Sequence, residues 1–253
     1  MLAFLEQAYK QYNHRAFVHP DPLEFLYRYD KPEDREVVGL IASSLAYGRV
    51  AQILKSVAKI LDILEGHPAQ MLRDMTERDL QERFGEFRYR FTTGMEMVRF
   101  LTGISRILRE KGSLRALIRN SGDTWPDVLE SFAWQINRTA GGLSSLLPLP
   151  SKGSACKRLM MFFRWMVRRD DVDIGDWHDL GSQNLIIPLD THMFRIAHLL
   201  KFTDKNSPNL RTAMEITYKF KELEPDDPVR YDFSLTRPGI RNEPMFQALQ
   251  QWK

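Results

Sequence analysis

Residues 148–200 read PLPSKGSACKRLMMFFRWMVRRDDVDIGDWHDLGSQNLIIPLDTHMFRIAHLL, and their hydrophobic periods decide the fold class. Leu159, Met160, Met161, Phe162, Phe163, Trp165, Met166 and Val167 put apolar side chains around most of a helical circumference. A helix of that kind belongs at the centre of a core. A second helix follows Asp190, where Met193, Ile196, Ala197 and Leu200 repeat at three- and four-residue spacing. An aspartate after Pro-Leu is a natural N-cap, so Asp190 marks where that helix starts.

The same period runs through most of the chain. Val37, Val38, Ile41, Ala42 and Leu45 make one apolar face between Pro32 and Gly48, and Ile53, Leu54, Val57, Ile60, Leu61 and Leu64 make the next. A third helix is predicted from Thr93 to Gly112, with shorter ones at 113–120, 125–138, 208–222 and 227–236. Few stretches alternate with period two, and Ile186–Ile187 is too short and Pro-terminated to anchor a sheet. The expected class is all-α, in two packed lobes or a single domain. The Gly/Ser/Pro-rich passage 140–154 suggests a middle lobe of residues 34–150 and a second lobe joining 1–33 to 151–253.

Composition excludes several classes of function. At 253 residues and 43% hydrophobic, the chain can bury a full core without staples. Its apolar runs fall far short of the ~20 residues a membrane span needs, and MLAFLEQAYKQYNHR lacks the basic and small-residue pattern of a signal peptide. A single cysteine, Cys156, excludes an internal disulfide, a CxxC zinc site and a four-cysteine iron–sulfur cluster. The expected setting is cytoplasmic and reducing, with no cofactor, no metal and no membrane partner. A net charge of +3 names no partner by its size, but its distribution is informative. Between Ser151 and Arg169 stand six basic residues and no acidic one.

That basic stretch opens with Ser151, Lys152, Gly153 and Ser154, a flexible turn that feeds backbone N–H groups toward a helix N-terminus. Such a turn is suited to a phosphate, and equally to a plain loop-to-helix join with Ser154 as N-cap. Lys157 falls in the first turn of the helix. There the positive end of the helix dipole and the adjacent Arg158 both disfavour an ammonium, which would leave an amine nucleophile. A solvated surface lysine is the ordinary alternative. Asp190, held at a helix entrance, can serve as N-cap and also stabilise a developing positive charge. Cys156 has no histidine base placed by sequence and reads as a small residue packed at a helix start.

Ile187-Pro-Leu-Asp-Thr-His-Met-Phe-Arg-Ile-Ala197 resembles the V-P-V-D-T-H-V-x-R-V stretch of the helix-hairpin-helix DNA glycosylase superfamily. The catalytic aspartate of that stretch matches Asp190, and the Schiff-base lysine of bifunctional members matches Lys157. The two lie 33 positions apart, an interval longer than usual in the superfamily and similar to that of the archaeal 8-oxoguanine glycosylase (AGOG-like) branch. The run SKGSACKRL…DDVD…IIPLDTH also resembles an uncharacterised bacterial family of similar length described as DNA glycosylases. Asp21–Leu64 looks like the superfamily's opening helices, whose loop supplies the residue that fills the gap left by a flipped base; Tyr47, Gly48 and Arg49 fall near it. For Tyr47 an ordinary helix-end aromatic is an equal reading. Where the hairpin normally reads L-P-G-x-G, Leu147–Gly153 keeps one glycine, displaced.

The resemblance implies a two-lobed, helix-hairpin-helix glycosylase-like fold and a base-excision glycosylase/lyase acting as a monomer on duplex DNA with a damaged base. An oxidised purine, 8-oxoguanine first, would be extruded into a pocket between the lobes. Lys157 would attack the sugar C1′ while Asp190 offsets the oxocarbenium-like charge. Lys152, Gly153, Ser154 and Arg158 would hold backbone phosphates, with Tyr47 and Arg49 on the base-flipping loop. Tyr231, Asp232 and Phe233 are pocket candidates in a region that otherwise reads as a plain amphipathic helix, and Trp165 reads as core. The alternative is a DNA-binding module of the same fold without catalysis. A metal-dependent hydrolase built on Asp170, Asp171, Asp173, Asp176, His178 and Asp179 is a weaker alternative, because the loop is out of register for an EF-hand. A solvated acidic loop is the better reading of it.

Overall fold

The computed structural model describes residues 1–119, 121–122, 124–142 and 144–240. It is all-α, with one short two-stranded ribbon among the described residues. In chain order the helices begin with α1 (Leu2–Tyr12), α2 (Pro32–Ser44), α3 (Val50–Ile63), α4 (Pro68–Asp74) and α5 (Glu77–Phe84). The ribbon β1 (Arg88–Tyr89) and β2 (Thr92–Thr93) leads into α6 (Gly94–Lys111) and α7 (Trp125–Thr139). After it come α8 (Lys157–Val167), α9 (Thr191–Leu199), α10 (Leu210–Leu223) and α11 (Asp232–Ile240).

Contacts divide the chain into two units. One is Pro20–Lys152; the other joins Met1–His19 to the residues from Gly153 onward. The sequence reading put the breaks after residues 33 and 150. The first moves because the 3-10 stretch Pro22–Arg28 buries Leu23, Phe25 and Leu26 and packs on α2 and α3. The second moves because the 3-10 turn Pro150–Lys152 packs on α7, where Ser151 donates from both its N–H and its hydroxyl to Glu130, each at 2.8 Å. Residues 241–253 of the expected second lobe lie outside the described residues.

In the unit Pro20–Lys152, α2 is the central element. Pro32 at its first turn supplies a preset φ, and Glu33 and Asp34 favour the positive helix end. Its interior is buried nearly all round, and two of its acids are buried with it. Asp34 accepts the Ala69 N–H at 2.8 Å and so caps the start of α4, and Glu36 accepts the Leu114 N–H at 2.7 Å. Buried carboxylates tied to backbone N–H groups fix the ends of neighbouring elements as well as their own charge. Helix α6 starts at the Thr93 cap and stops at Gly112, whose φ of +82° a side chain would resist.

In the other unit, α8 is as buried as its composition requires. Phe162 and Phe163 stack edge-on against Trp177, with centroids 5.2 and 5.8 Å apart. Helix α1, which the sequence reading passed over, buries Leu5, Ala8 and Tyr12 and packs on α11. Helix α11 begins at Asp232 rather than 227 and buries every residue from Asp232 to Pro238, so it is a core helix and not an amphipathic one.

Candidate active site at the start of helix α8

Lys157 is the first residue of α8 and Asp190 is the N-cap of α9. Although 33 positions separate them, the lysine Nζ lies 4.0 Å from Asp190 Oδ2, with the two side chains 32% and 20% exposed. The other carboxylate oxygen, Oδ1, accepts the Met193 N–H at 2.7 Å. The aspartate is thus pinned by one oxygen to a helix end, while the other faces the lysine. Both groups are partly covered and still reachable, which suits a nucleophile and an electrostatic partner.

The segment before α8 is built differently from the expected cap. The N-cap is Cys156, which carries no side-chain cap bond and sits in the left-handed region at φ +46°. For a residue with a β-carbon this costs on the order of 1–3 kcal/mol and persists only where the surroundings hold it. Cys156 is buried, as expected for a packed thiol, and its N–H donates to Ser154 Oγ at 3.3 Å. Ser154 forms a β-bridge with Asn209, and Gly153 O accepts the Leu210 N–H at 3.3 Å. The turn is thereby strapped to the start of α10 instead of capping α8. Gly153 and Ser154 are exposed and Arg158 is half-buried in this unit, while Lys152 is exposed at the end of the other.

Beneath the pair lies a charged cluster that the sequence reading missed. Arg164 and Arg168, four residues apart on α8, are both buried. Arg164 pairs with Asp173 at 3.2 Å and with Asp232 at closer range; Arg168 pairs with Asp173 at 3.1 Å, Asp227 at 2.8 Å, and closely with Asp170. Tyr9 and Asn13 of α1 and its C-cap also donate to Asp170. Four carboxylates therefore meet two guanidiniums in a buried setting, where burial is the largest influence on their titration and the guanidiniums oppose it. Burial raises Asp173 and Asp232 to about 6 despite their arginines, and the neighbouring Asp190 carboxylate adds to the rise at Asp232. Asp170 is lowered: Arg168 and the N–H groups of Val172 and Asp173 outweigh its burial together.

This corrects the reading of the acidic loop. The acidic run 170–179 is not simply a solvated loop, because Asp170 and Asp173 are consumed by arginines while Asp171 stays exposed. Among the described residues no three His, Cys, Asp or Glu side chains are grouped to hold a metal ion. Asp232 is buried and ion-paired. Tyr231 is buried with its hydroxyl donating to Glu6 at 2.5 Å, and Phe233 is buried beneath the Arg237 guanidinium. The signal available in sequence was Arg164 and Arg168 themselves, since arginines on an otherwise apolar helix are buried only when paired.

In the Pro20–Lys152 unit, Tyr47 is half-buried. Its hydroxyl lies 2.7 Å from Thr92 Oγ1 and donates to Tyr89 O at 3.2 Å, and its ring packs 4.9 Å from that of Tyr89. Arg49 is exposed at the N-cap of α3. Trp165 is core, as expected. No helix among the described residues is long and apolar enough to cross a membrane.

Fold and site together define an all-α chain with a lysine–aspartate pair where two helices begin. The chain belongs to the family described as Protein of unknown function (DUF2400), whose model matches residues 21–241. No curated protein and no solved structure matches it.

Proposed function

We propose that the protein is a base-excision DNA glycosylase/lyase of the helix-hairpin-helix type, working through a Schiff base on Lys157, with oxidised purines, 8-oxoguanine foremost, as substrates. The observation that carries this reading is the 4.0 Å approach of Lys157 Nζ to Asp190 Oδ2 at two partly exposed helix starts. In the reaction, the lone pair of the neutral Lys157 amine adds to the sugar C1′ while Asp190 is still a carboxylate, and the nitrogen then passes a proton to it. The C1′–N bond to the base breaks, and its electron pair leaves with the base, which takes up a proton. Asp190 offsets the positive charge that builds on the sugar ring. The C1′–O4′ bond of this adduct then opens, its electron pair leaving on O4′, which takes up a proton, and the nitrogen lone pair closes the C1′–N double bond of an imine; removal of the acidified C2′ proton then ejects the 3′ phosphate. Lys152, Gly153, Ser154 and Arg158 are assigned to backbone phosphates, and Tyr47 and Arg49 to the loop beside the extruded base.

Borohydride reduces such an imine to a stable amine, so trapping on duplex DNA containing 8-oxoguanine tests the proposal. A covalent adduct is expected with the native chain and none with Lys157→Gln. Absence of any adduct on both 8-oxoguanine and abasic DNA, with DNA binding retained, would overturn the enzyme reading in favour of a binding module.

A further inference from the structure

We infer that the Pro20–Lys152 unit carries a second nucleic-acid site: a cationic groove between α3 and the β1–β2 ribbon that takes the sugar-phosphate backbone of an unpaired strand, with Phe91 as the platform on which one of its bases stacks. The groove has a volume of about 450 Å³, and Arg49, Lys55, Lys59, Arg88 and Arg90 all line it. No acidic residue lines it, and none of the five cations has an ion-pair partner among the described residues. Five like charges facing one groove repel one another, and an anionic occupant relieves that repulsion. Gln52 and Ser56 on the same helix add neutral hydrogen-bonding groups to the wall.

The spacing selects a polymeric phosphate over a compact one. Residues 49, 52, 55, 56 and 59 share one face of α3, next to the face that buries Ile53, Val57 and Ile60. At ~1.5 Å rise per residue they extend over about 15 Å; even at the ~3.4 Å per phosphate of a duplex strand no more than about four phosphates fit, and fewer for an extended one.

The ribbon supplies the second half of the site. Arg90 and Phe91 form its two-residue turn, with Arg90 at φ +50°, and Phe91 at the tip is 79% exposed, more than any other large apolar side chain among the described residues. The Arg90 guanidinium lies 5.5 Å from the Phe91 ring centre. A solvent-facing aromatic beside a basic track is the combination that holds single strands without reading their sequence. The turn is held in place from behind. Tyr47 bonds both strands, and Gly48, at φ +95°, leaves the space that Arg90 fills; a β-carbon there would stand 2.4 Å from Arg90 Nη1.

This inference does not depend on the lysine chemistry, and its test separates the two. Anisotropy is measured with a labelled dT strand of about 20 nucleotides, on the full chain carrying Lys157→Gln. Affinity is expected to fall with salt at a log–log slope of up to about three, for no more than about four phosphates. Lys55→Glu with Lys59→Glu should lower the slope by about 1.4 and weaken binding at least tenfold. Phe91→Ala should weaken it roughly five- to 150-fold with the slope unchanged. Parental affinity and slope in the double variant would overturn the groove. Displacement of the strand by tripolyphosphate at equal phosphate concentration would overturn the polymeric occupant.

Discussion

Asp190 does two jobs with two oxygens, and substitution separates them. Asparagine keeps an acceptor for the Met193 N–H and removes the charge facing Lys157, whereas alanine removes both. Asp190→Asn is therefore expected to leave stability within about 0.5 kcal/mol, and Asp190→Ala to cost about 1 kcal/mol, in denaturant melts. Both should slow borohydride-trappable adduct formation by about a hundredfold or more, the scale of losing a group aimed at developing charge. Trapping by Asp190→Asn at the native rate would reduce Asp190 to a helix cap. That both residues stand at helix starts was legible in the sequence, the aspartate from Pro-Leu-Asp and the lysine from the apolar helix behind it; only the resemblance joined them as a pair. Their convergence was not legible, because the loops between α8 and α9 carry no periodicity that fixes a distance.

Among the elements, α8 behaves as a buried rod with charge on one side. The sequence revealed the rod from its aromatic and methionine content, but hid the charge, because the partners of Arg164 and Arg168 come from as far away as Asp227 and Asp232. An acidic run beside such a helix looks solvated until those pairings are seen. Burial of the carboxylates in this cluster has a consequence for pH. Asp232 has a folded value of about 6 against an ordinary one of 3.8, so the folded state holds its proton over a range where the unfolded chain has released it. Its contribution to stability is fully present below about 3.8 and is lost as pH rises through about 6. Asp170 acts in the opposite sense, its contribution fading as pH falls through its lowered value. Asparagine mimics the protonated acid, so Asp232→Asn should gain stability relative to the native chain as pH is raised from 4 to 6.5, read from urea midpoints at each pH. Parallel curves for the two proteins would contradict the assignment. The ribbon β1–β2 escaped the sequence reading for a simpler reason: two-residue strands are too short to show alternation. Helices α4 and α5 are likewise only two turns long and start at Pro68 and at the Thr76–Asp79 capping box.

At the scale of the whole molecule, the all-α class was legible because the 3.6-residue period recurs in nearly every long segment. The partition was only partly legible. The Gly/Ser/Pro passage marks the later break to within two residues, but nothing in residues 20–33 announces that the 3-10 stretch packs on α2. The lysine–aspartate pair lies in the unit formed by both chain ends, and the cationic groove in Pro20–Lys152. Lys152 and Lys157 fall on opposite sides of the second break, only five positions apart, and they offer the sharpest choice between a phosphate contact and a nucleophile. The most direct measurement is to trap the native chain with borohydride on abasic duplex DNA, digest it, and map the modified lysine by mass spectrometry. The account predicts the adduct on the peptide containing Lys157, at its ε-nitrogen. An adduct on Lys152, or spread over surface lysines, would contradict it.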